Sequence, residues 1–381
     1  MWSANNLAYP LKGVDTGPPM APAGSRTTPG FPARNLPNLQ VLSPGLFWKW
    51  AFLPAISFMI PSIPKDFQWI PCENCGSDSF DRVVSRDPSA VVRCKSCGLE
   101  FINPLPEEDY LASLYQSEMQ GKNDTGPYFK EYIEDRSRNA RSYEKIYFKR
   151  MELIEGFVPA KGALLDLGCG AGFFLDFAKK RGWEAHGLDI LPEYIDLARN
   201  QLGLDNVHCS RLEEMDFPEN RFRVVTLWDL IEHLRHPLDY LRRINRIMEA
   251  DGKLVIWTPN TRNAAYLRDR WTGYGPRQHL YFFSRDTLGP LLQKAGFQPA
   301  YWQTTKTKKG MFIPQDSLTF QKIVKPASRW GRIVFSMKRD LNNFINPMTY
   351  LSPVMDELGF GFNLLVVAVK SRPLSPDACN S

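Results

Sequence analysis

Apolar and polar stretches alternate regularly between residues 160 and 300. Apolar runs of strand length, such as 222–229, are separated by longer amphipathic segments such as 237–248. In the amphipathic segments apolar residues recur every three or four positions, which is typical of a helix that packs by one face. Strands that alternate with helices favour a mostly parallel sheet with helices on both faces, so the pattern predicts a doubly wound α/β fold.

The chain before this region has a different composition. Residues 1–45 combine many proline, glycine, serine and asparagine residues with a single acid, Asp15, and show no period of 2 or 3.6. Such a segment buries too little apolar surface to offset its conformational entropy, so a disordered tail is predicted. A short second tail covers residues 373–381, and residues 106–160 are predicted to be a helical linker.

An apolar, aromatic segment covers residues 46–66. It holds Lys49 between two tryptophans, and Pro54 and Pro61 interrupt any helix. Three interpretations are open: the segment lies in a membrane interface, it packs on the folded domain, or residues 1–58 do not belong to the natural protein. No run reaches the roughly 20 apolar residues of a membrane-spanning helix, and no secretory signal is recognisable.

The amino-acid composition says more about the cellular compartment of the protein than about its binding partners. Of 381 residues, 43% are hydrophobic and 23% are charged, and the net charge of +6 is too small to indicate nucleic acid by itself. The seven cysteines include two closely spaced pairs, which favours metal binding in a reducing, cytoplasmic environment over a disulfide framework. Peripheral contact with the inner face of the membrane would follow from the interfacial interpretation of residues 46–63.

Cys72, Cys75, Cys94 and Cys97 form two Cys-x-x-Cys pairs, each followed by a glycine. The two-residue gap lets one tight turn offer both sulfurs to the same ion, and the glycine supplies the positive φ that follows. With two short strands between the pairs, residues 67–105 are predicted to be a zinc ribbon. Because four cysteines leave no open coordination position, the zinc should be structural, and a rubredoxin-like iron centre is the alternative.

A short apolar run containing Asp166 leads into Gly168-x-Gly170-x-Gly172, after which a helical pattern begins. Glycines let the backbone turn sharply and approach a ligand, and free N–H groups at a helix start favour a polar or anionic group. The spacing differs from the Gly-x-Gly-x-x-Gly of nicotinamide sites, and no P-loop lysine follows. The next strand ends in Asp189, placed to accept hydrogen bonds from a ribose. A generic Rossmann turn without a cofactor is the alternative.

This motif and the acid after the second strand resemble the class I S-adenosylmethionine (SAM)-dependent methyltransferases over roughly residues 140–370. The resemblance implies a Rossmann-like, mostly parallel sheet of seven strands within residues 161–372, whose closing strand is antiparallel. It also implies SAM as the cofactor. Residues 97–111 look like part of the ribbon that precedes this domain in many bacterial enzymes of natural-product, saccharide and lipid modification. This resemblance spans roughly residues 70–120, and in those enzymes the ribbon and the helices after it cover the cofactor cleft.

The resemblance assigns the cofactor to residues of four successive strands and their turns. They are Asp166, Gly168, Cys169, Gly170 and Gly172 at the first turn, Asp189 and Ile190 after the second strand, Arg211 and Leu212 after the third, and Leu227 and Trp228 at the end of the fourth. Tyr128, Tyr132 and Tyr143 of the helical linker are candidates near the cofactor, with core packing as the alternative for each.

Asp229-x-x-Glu232-His233 resembles a segment of the ubiquinone-biosynthesis O-methyltransferases that is associated there with a divalent metal near the acceptor hydroxyl. Residues i, i+3 and i+4 share a helical face, so these side chains are predicted to converge. Glu232 and His233 are therefore candidate catalytic residues. The alternatives are that Glu232 is a solvated acid and that His233 caps or packs a turn. His279 is the second candidate for the general base. The alternative is that it is a structural histidine hydrogen-bonded to the backbone.

Acceptor recognition is predicted in the irregular loop at residues 261–283. A basic, aromatic insertion at residues 301–350 could meet an anionic acceptor, a membrane surface or RNA, or present a solvated helical face. The resemblance to the SAM-dependent methyltransferases implies methyl transfer by direct displacement to an O or N atom of a small-molecule, saccharide or lipid-linked acceptor. The alternatives are an RNA methyltransferase that grips RNA with the ribbon and the insertion, and a non-catalytic binding protein with the same fold.

Overall fold

The computed structural model describes residues 65–119, 128–264, 271–274, 278–305, 328, 330 and 347–371. Both predicted tails and nearly all of the apolar segment at 46–66 lie outside this part of the chain. Within it, no helix is long and apolar enough to cross a membrane.

The four-cysteine segment folds into short antiparallel strands. They are β1 (Phe67–Gln68), β2 (Phe80–Arg86), β3 (Ser89–Cys94), β4 (Glu100–Asn103) and β5 (Leu105–Pro106). β2, β3 and β4 form a meander, and β1 pairs with β5. The two strands predicted between the cysteine pairs are confirmed as β2 and β3. A distant strand, β11 (Tyr281–Phe282), adds to the edge of β4, which was not predicted because two residues carry no detectable period.

Three helices connect this ribbon to the main sheet. They are α1 (Glu108–Met119), α2 (Tyr128–Arg138) and α3 (Ala140–Phe157). The helical linker predicted at residues 106–160 therefore contains α1, α2 and α3, with Asn139 between α2 and α3. Helix α3 ends at Phe157, and the Val158 N–H donates to the Ile154 carbonyl oxygen and closes its last turn.

A seven-stranded sheet forms the main domain and confirms the predicted fold class. Its strands are β6 (Ala163–Leu167), β7 (Glu184–Asp189), β8 (Val207–Cys209), β9 (Phe222–Trp228), β10 (Met248–Pro259), β12 (Phe297–Thr305) and β13 (Asn363–Lys370). The spatial order is β12-β13-β10-β9-β6-β7-β8. Strands β6 to β10 pair in parallel, whereas β13 is antiparallel to β10 and β12.

Helices pack on both faces of this sheet. They are α4 (Phe173–Lys180), α5 (Pro192–Asn200), α6 (Pro237–Ile247), α7 (Arg285–Lys294) and α8 (Pro347–Glu357). Pro192 and Pro237 begin their helices at the position where a missing N–H costs nothing. At the start of α7 the Ser284 N–H donates to Thr287 Oγ1 at 2.9 Å, as in a capping box.

The strands carry apolar residues on both faces, so two core layers form. Leu165 and Val225 lie in one layer, and Leu164 and Val224 lie in the other. Because the parallel strands all end at the same edge, the turns after β6, β7 and β9 are brought together there, where ligands bind in open α/β sheets.

The basic region predicted as an insertion at 301–350 overlaps the sheet. Its first five residues complete β12, and residues 347–350 begin α8. Apart from Ser328 and Trp330, its remaining residues lie outside the described part of the chain.

Candidate active site

A tight glycine turn joins β6 to α4 at the carboxyl edge of the sheet. The Gly168 N–H donates to the Leu188 carbonyl oxygen at 2.8 Å, which fixes the turn against β7. Gly170 and Gly172 have φ angles of 53° and 79°, a region that other L-residues rarely adopt. A Cβ at Gly170 would lie 2.8 Å from the Tyr132 hydroxyl oxygen. The turn therefore requires glycine for both conformation and space.

Asp189, at the end of β7, closes onto this turn. Its Oδ2 accepts a hydrogen bond from the Gly170 N–H at 2.8 Å, and its Oδ1 accepts one from the Leu191 N–H at 3.0 Å. Burial raises the pKa of the carboxyl, and the two backbone donors oppose that shift. Each carboxylate oxygen can accept a further hydrogen bond, so Asp189 keeps acceptor capacity for ligand hydroxyl groups.

Three of the cofactor residues predicted at the first turn and at the end of the fourth strand have side chains in the interior. Asp166 is 2% exposed, and its Oδ1 accepts a hydrogen bond from Thr226 Oγ1 at 2.5 Å. Burial raises the pKa of Asp166 to about 7. Cys169 and Leu227 are also buried in the core. These three side chains pack inside the domain and stabilise the turn and the sheet.

The next predicted cofactor residues follow β7 and β8. Ile190 is 42% exposed, whereas Leu212 is buried. Arg211 forms an ion pair with Glu108 of α1. This pair ties the helical linker to the same edge of the sheet as the glycine turn.

Helix α2 packs across the glycine turn through Tyr132. The centroid of its ring lies 5.0 Å from that of Tyr194 and 6.5 Å from that of Phe173. The guanidinium carbon of Arg136 lies 3.3 Å from the Tyr132 ring centroid. Burial raises the pKa of the Tyr132 hydroxyl, which is therefore neutral. Tyr132 is thus the linker tyrosine that contacts the predicted cofactor turn.

Arg150 of α3 is a basic residue of this edge that the sequence analysis missed. Its guanidinium carbon lies 4.0 Å from the Trp228 ring centroid and 6.0 Å from that of Trp257. Burial lowers the pKa of this guanidinium, and the charges of Asp229 and Asp166 raise it. A desolvated positive charge is thereby held at the strand ends, where it attracts an anionic ligand group.

A pattern in α3 could have identified Arg150. Arg150 lies three residues after Tyr147 and four before Ile154, so it interrupts the apolar face of the helix. A charged residue on a buried face has a partner or a function.

Glu232 lies in a 3₁₀ turn, Ile231–His233, directly after β9. It is 1% exposed, so the alternative of a solvated acid is wrong. Its Oε2 accepts a hydrogen bond from Thr258 Oγ1 at 2.9 Å, while Oε1 has no hydrogen-bond partner among the described residues. Burial, and then the charge of Asp229, raise the pKa of this carboxyl, which favours its protonated form.

His233 and His279 adopt the same arrangement beside Glu232. The Nδ1 atom of His233 lies 3.1 Å from the Gln278 carbonyl oxygen, and that of His279 lies 3.0 Å from the Gly273 carbonyl oxygen. A carbonyl oxygen only accepts, so each Nδ1 carries the proton and each Nε2 keeps a free lone pair. Burial lowers the pKa of His233 to about 3 and that of His279 to about 4.

These three residues form one compact cluster. The two imidazole centroids are 4.8 Å apart and the rings meet edge to face. One ligand atom each from Glu232, His233 and His279 lie within 4.8 Å of one another. The backbone bond expected for a structural histidine is present at His279, but it engages only Nδ1.

Asp229 does not join this group, contrary to the prediction of a shared helical face. The segment is a 3₁₀ turn rather than an α-helix, and Asp229 precedes it with a φ of 54°. The chain therefore leaves β9 in a left-handed conformation, and no i, i+3, i+4 face is formed. His279, 46 residues beyond His233 in the chain, takes the third place in the cluster.

The turn after β9 borders the glycine turn. Strands β6 and β9 are neighbours, with Leu167 opposite Leu227. A Cβ at Gly168 would lie 3.1 Å from Leu230 Cδ1. The glycine turn and the segment that leads into the histidine cluster therefore lie side by side.

The four ribbon cysteines form a second cluster. The Sγ atoms of Cys72 and Cys97 are 3.4 Å apart, as are those of Cys75 and Cys94. One Sγ from each of the four lies within 4.8 Å of the others. Gly76 follows one cysteine pair with a φ of 73°. The spacing suits a tetrahedral four-thiolate metal site.

Comparison with known proteins finds similarity over the main domain. Residues 132–301 match a family model described as "Methyltransferase domain". The ubiquinone biosynthesis O-methyltransferase of Coxiella burnetii is 32% identical over 124 residues, which cover 31% of this chain and 53% of that protein. The protein of the same name from Cereibacter sphaeroides is 29% identical over 155 residues, 37% of this chain and 63% of that protein. The chain thus spans less than two thirds of these relatives.

Solved structures also align with the chain. A SAM-dependent methyltransferase from Archaeoglobus fulgidus covers 60% of this chain and 94% of its own, with 20% identity and a TM-score of 0.40. At this score the alignment adds nothing to the family match.

Proposed function

We propose, from the premise that residues 132–301 form a methyltransferase domain, that this chain transfers a methyl group from SAM to a small-molecule, saccharide or lipid-linked acceptor. One observation carries the proposal: a glycine turn closed by Asp189 lies beside the cluster of Glu232, His233 and His279, in which two imidazole nitrogens have no hydrogen-bond partner among the described residues. The first provides a cofactor site and the second an acceptor site. The names of the curated relatives support an oxygen atom as the acceptor.

The residues of the turn fit SAM. Gly170 allows the ligand to approach the backbone, and Asp189 can accept hydrogen bonds from ribose hydroxyl groups. Arg150 and the start of α4 offer positive electrostatic potential to a carboxylate. When bound, SAM supplies a methyl group on a sulfonium sulfur, so no protein nucleophile is needed.

The histidine cluster fits proton removal from a hydroxyl or amine acceptor. His233 and His279 are neutral at pH 7 and each has a free Nε2, which can take the proton as the methyl group is transferred. Burial favours the protonated form of Glu232, which can donate a hydrogen bond to an acceptor oxygen. We assign proton removal to one of the two histidines.

The ribbon cysteines fit structural zinc. Four thiolates fill the tetrahedral coordination of the ion, so it would stabilise the ribbon without touching the substrate.

A divalent metal is a second candidate for the histidine cluster. The cluster offers two imidazole Nε2 atoms and the Oε1 of Glu232, which has no hydrogen-bond partner among the described residues. Together they provide one carboxylate and two neutral nitrogen ligands. Metal analysis of the full chain tests it. One zinc per chain leaves the cluster to proton chemistry, whereas a second ion that is lost in His279→Ala supports the metal.

The enzymatic proposal is tested with methyl-labelled SAM and acceptors of each class, namely phenols, nucleotide sugars and lipid-linked saccharides. We expect label transfer to one class, reduced at least a hundredfold in His233→Ala or in His279→Ala. His208→Ala, on the edge strand β8, is the matched control and should retain activity. SAM binding without label transfer to any class would instead favour a non-catalytic binding protein.

A further inference from the structure

One short segment, residues 278–282, contains His279 and contacts His233. The Gln278 carbonyl oxygen lies 3.1 Å from His233 Nδ1, and His279 is the next residue. The Leu280 N–H donates to the Glu232 carbonyl oxygen at 2.7 Å. The orientation of both imidazoles therefore depends on where this segment lies.

The ribbon holds this segment by consecutive backbone groups. Arg86 Nη1, at the end of β2, donates to the His279 carbonyl oxygen at 3.1 Å. The Ile102 N–H of β4 donates to the Leu280 carbonyl oxygen at 2.8 Å. Tyr281 and Phe282 then pair with Phe101 and Glu100 as strand β11.

The cysteine cluster in turn fixes the strands that make these contacts. Cys94 ends β3, and β4 begins three residues after Cys97. The Cys94 N–H donates to the Leu99 carbonyl oxygen at 2.9 Å, directly before β4. A metal at the cysteines would therefore set the position of β4, and β4 sets the position of residues 280–282.

We propose that the cysteine ribbon is the positioning element of the histidine pair, and that Arg86 is the positioning residue of His279. The ribbon touches neither the glycine turn nor Asp189 through these contacts, so it acts on the acceptor side of the site. The consequence for catalysis rests on the proposed function, whereas the positioning itself does not.

The strand β2 offers a matched control. Arg82 lies on the same strand, but it is exposed and donates to Ser85 Oγ at 2.7 Å within that strand. Replacing Arg82 removes the same charge from the ribbon without removing a contact to residues 278–282.

The test uses the full chain labelled with ¹⁵N-histidine and ¹⁵N-leucine and loaded with zinc, without SAM. The chain has five histidines, so His186, His208 and His236 serve as internal references. In the unmodified chain, the ring shifts of His279 should show a protonated Nδ1 and an unprotonated Nε2. In Arg86→Ala these two shifts should move towards each other, and the Leu280 amide should exchange about tenfold faster, as expected for losing one charge-assisted hydrogen bond.

Arg82→Ala should reproduce the unmodified spectrum, and Arg86→Lys, which keeps a donor, should restore most of it. Unchanged His279 shifts in zinc-loaded Arg86→Ala would overturn the role of Arg86.

Chelation of the metal tests the ribbon itself and does not depend on any substitution. We expect the His233 and His279 shifts to change while those of His186 and His208 stay, and SAM affinity to change less than about threefold. Unchanged His233 and His279 shifts, or loss of all signals together, would overturn the proposal. Failure of the unmodified chain to bind SAM would remove the proposed function alone, because the spectra are recorded without it.

Discussion

Glu155 joins α3 to the end of α4 through a cluster of charges. Its carboxylate accepts hydrogen bonds from Arg181 Nε at 3.1 Å and from Trp183 Nε1 at 3.3 Å, and it also pairs with Lys161. The Glu155 side chain is 19% exposed. Hydrogen bonding from Arg181, the largest cause, and from Lys161 lowers the pKa of Glu155 to about 2.

The magnitude of this stabilisation follows from the pKa. Lowering the pKa of Glu155 from an ordinary 4.5 to about 2 stabilises the folded state by about 3 kcal/mol. Since Arg181 and Lys161 are partly exposed, solvent screening reduces this to about 2 kcal/mol. The folded-state pKa is the depressed one, so the stabilisation is complete above pH 4.5 and is lost as the pH falls towards 2.

Urea unfolding of Glu155→Gln should therefore show a loss of about 2 kcal/mol in the free energy of unfolding at pH 7, and about half that loss at pH 3. Glu144→Gln is the control, because Glu144 is exposed on the same helix. The reasoning is refuted if both variants lose the same free energy, or if the Glu155→Gln loss is the same at both pH values.

Two further predictions concern the glycine turn and the ribbon. Gly172→Ala should lower the free energy of unfolding by about 3 kcal/mol, because its φ is 79° and the new Cβ would lie 2.6 Å from Leu204 Cδ1. Gly182→Ala, at a φ of 89° with open space around it, should cost only about 1 kcal/mol, and equal costs in urea unfolding would contradict the packing argument. Elemental analysis should find about one zinc per chain, which Cys75→Ser loses and Cys209→Ser keeps. Zinc retained by Cys75→Ser would contradict a four-cysteine site.

The glycine turn could be predicted from sequence because its geometry is local. Gly170 and Gly172 need positive φ angles wherever a strand turns this sharply into a helix, and the following strand delivers Asp189 to the same edge. The same applies to Cys72 and Cys75, whose spacing fits one turn. In both turns the residues that act together are close in sequence, and few backbone conformations allow the turn.

The histidine cluster could be predicted only in part because it depends on tertiary contacts. The approach of His279 to His233 requires β11 to pair with β4 of the ribbon, and a two-residue strand has no sequence pattern. The exclusion of Asp229 depends on a left-handed residue at the end of β9, which helical spacing does not anticipate. Arg150 was missed because its neighbours at the strand ends come from other elements.

Calorimetric titration of the full chain with SAM tests the central claim most directly, with NAD as the matched ligand. The account predicts micromolar binding of SAM, weakened at least tenfold in Asp189→Ala, and no binding of NAD. Absence of SAM binding in a folded, zinc-loaded protein would contradict it, since the glycine turn and Asp189 would then form a Rossmann-like turn without this cofactor.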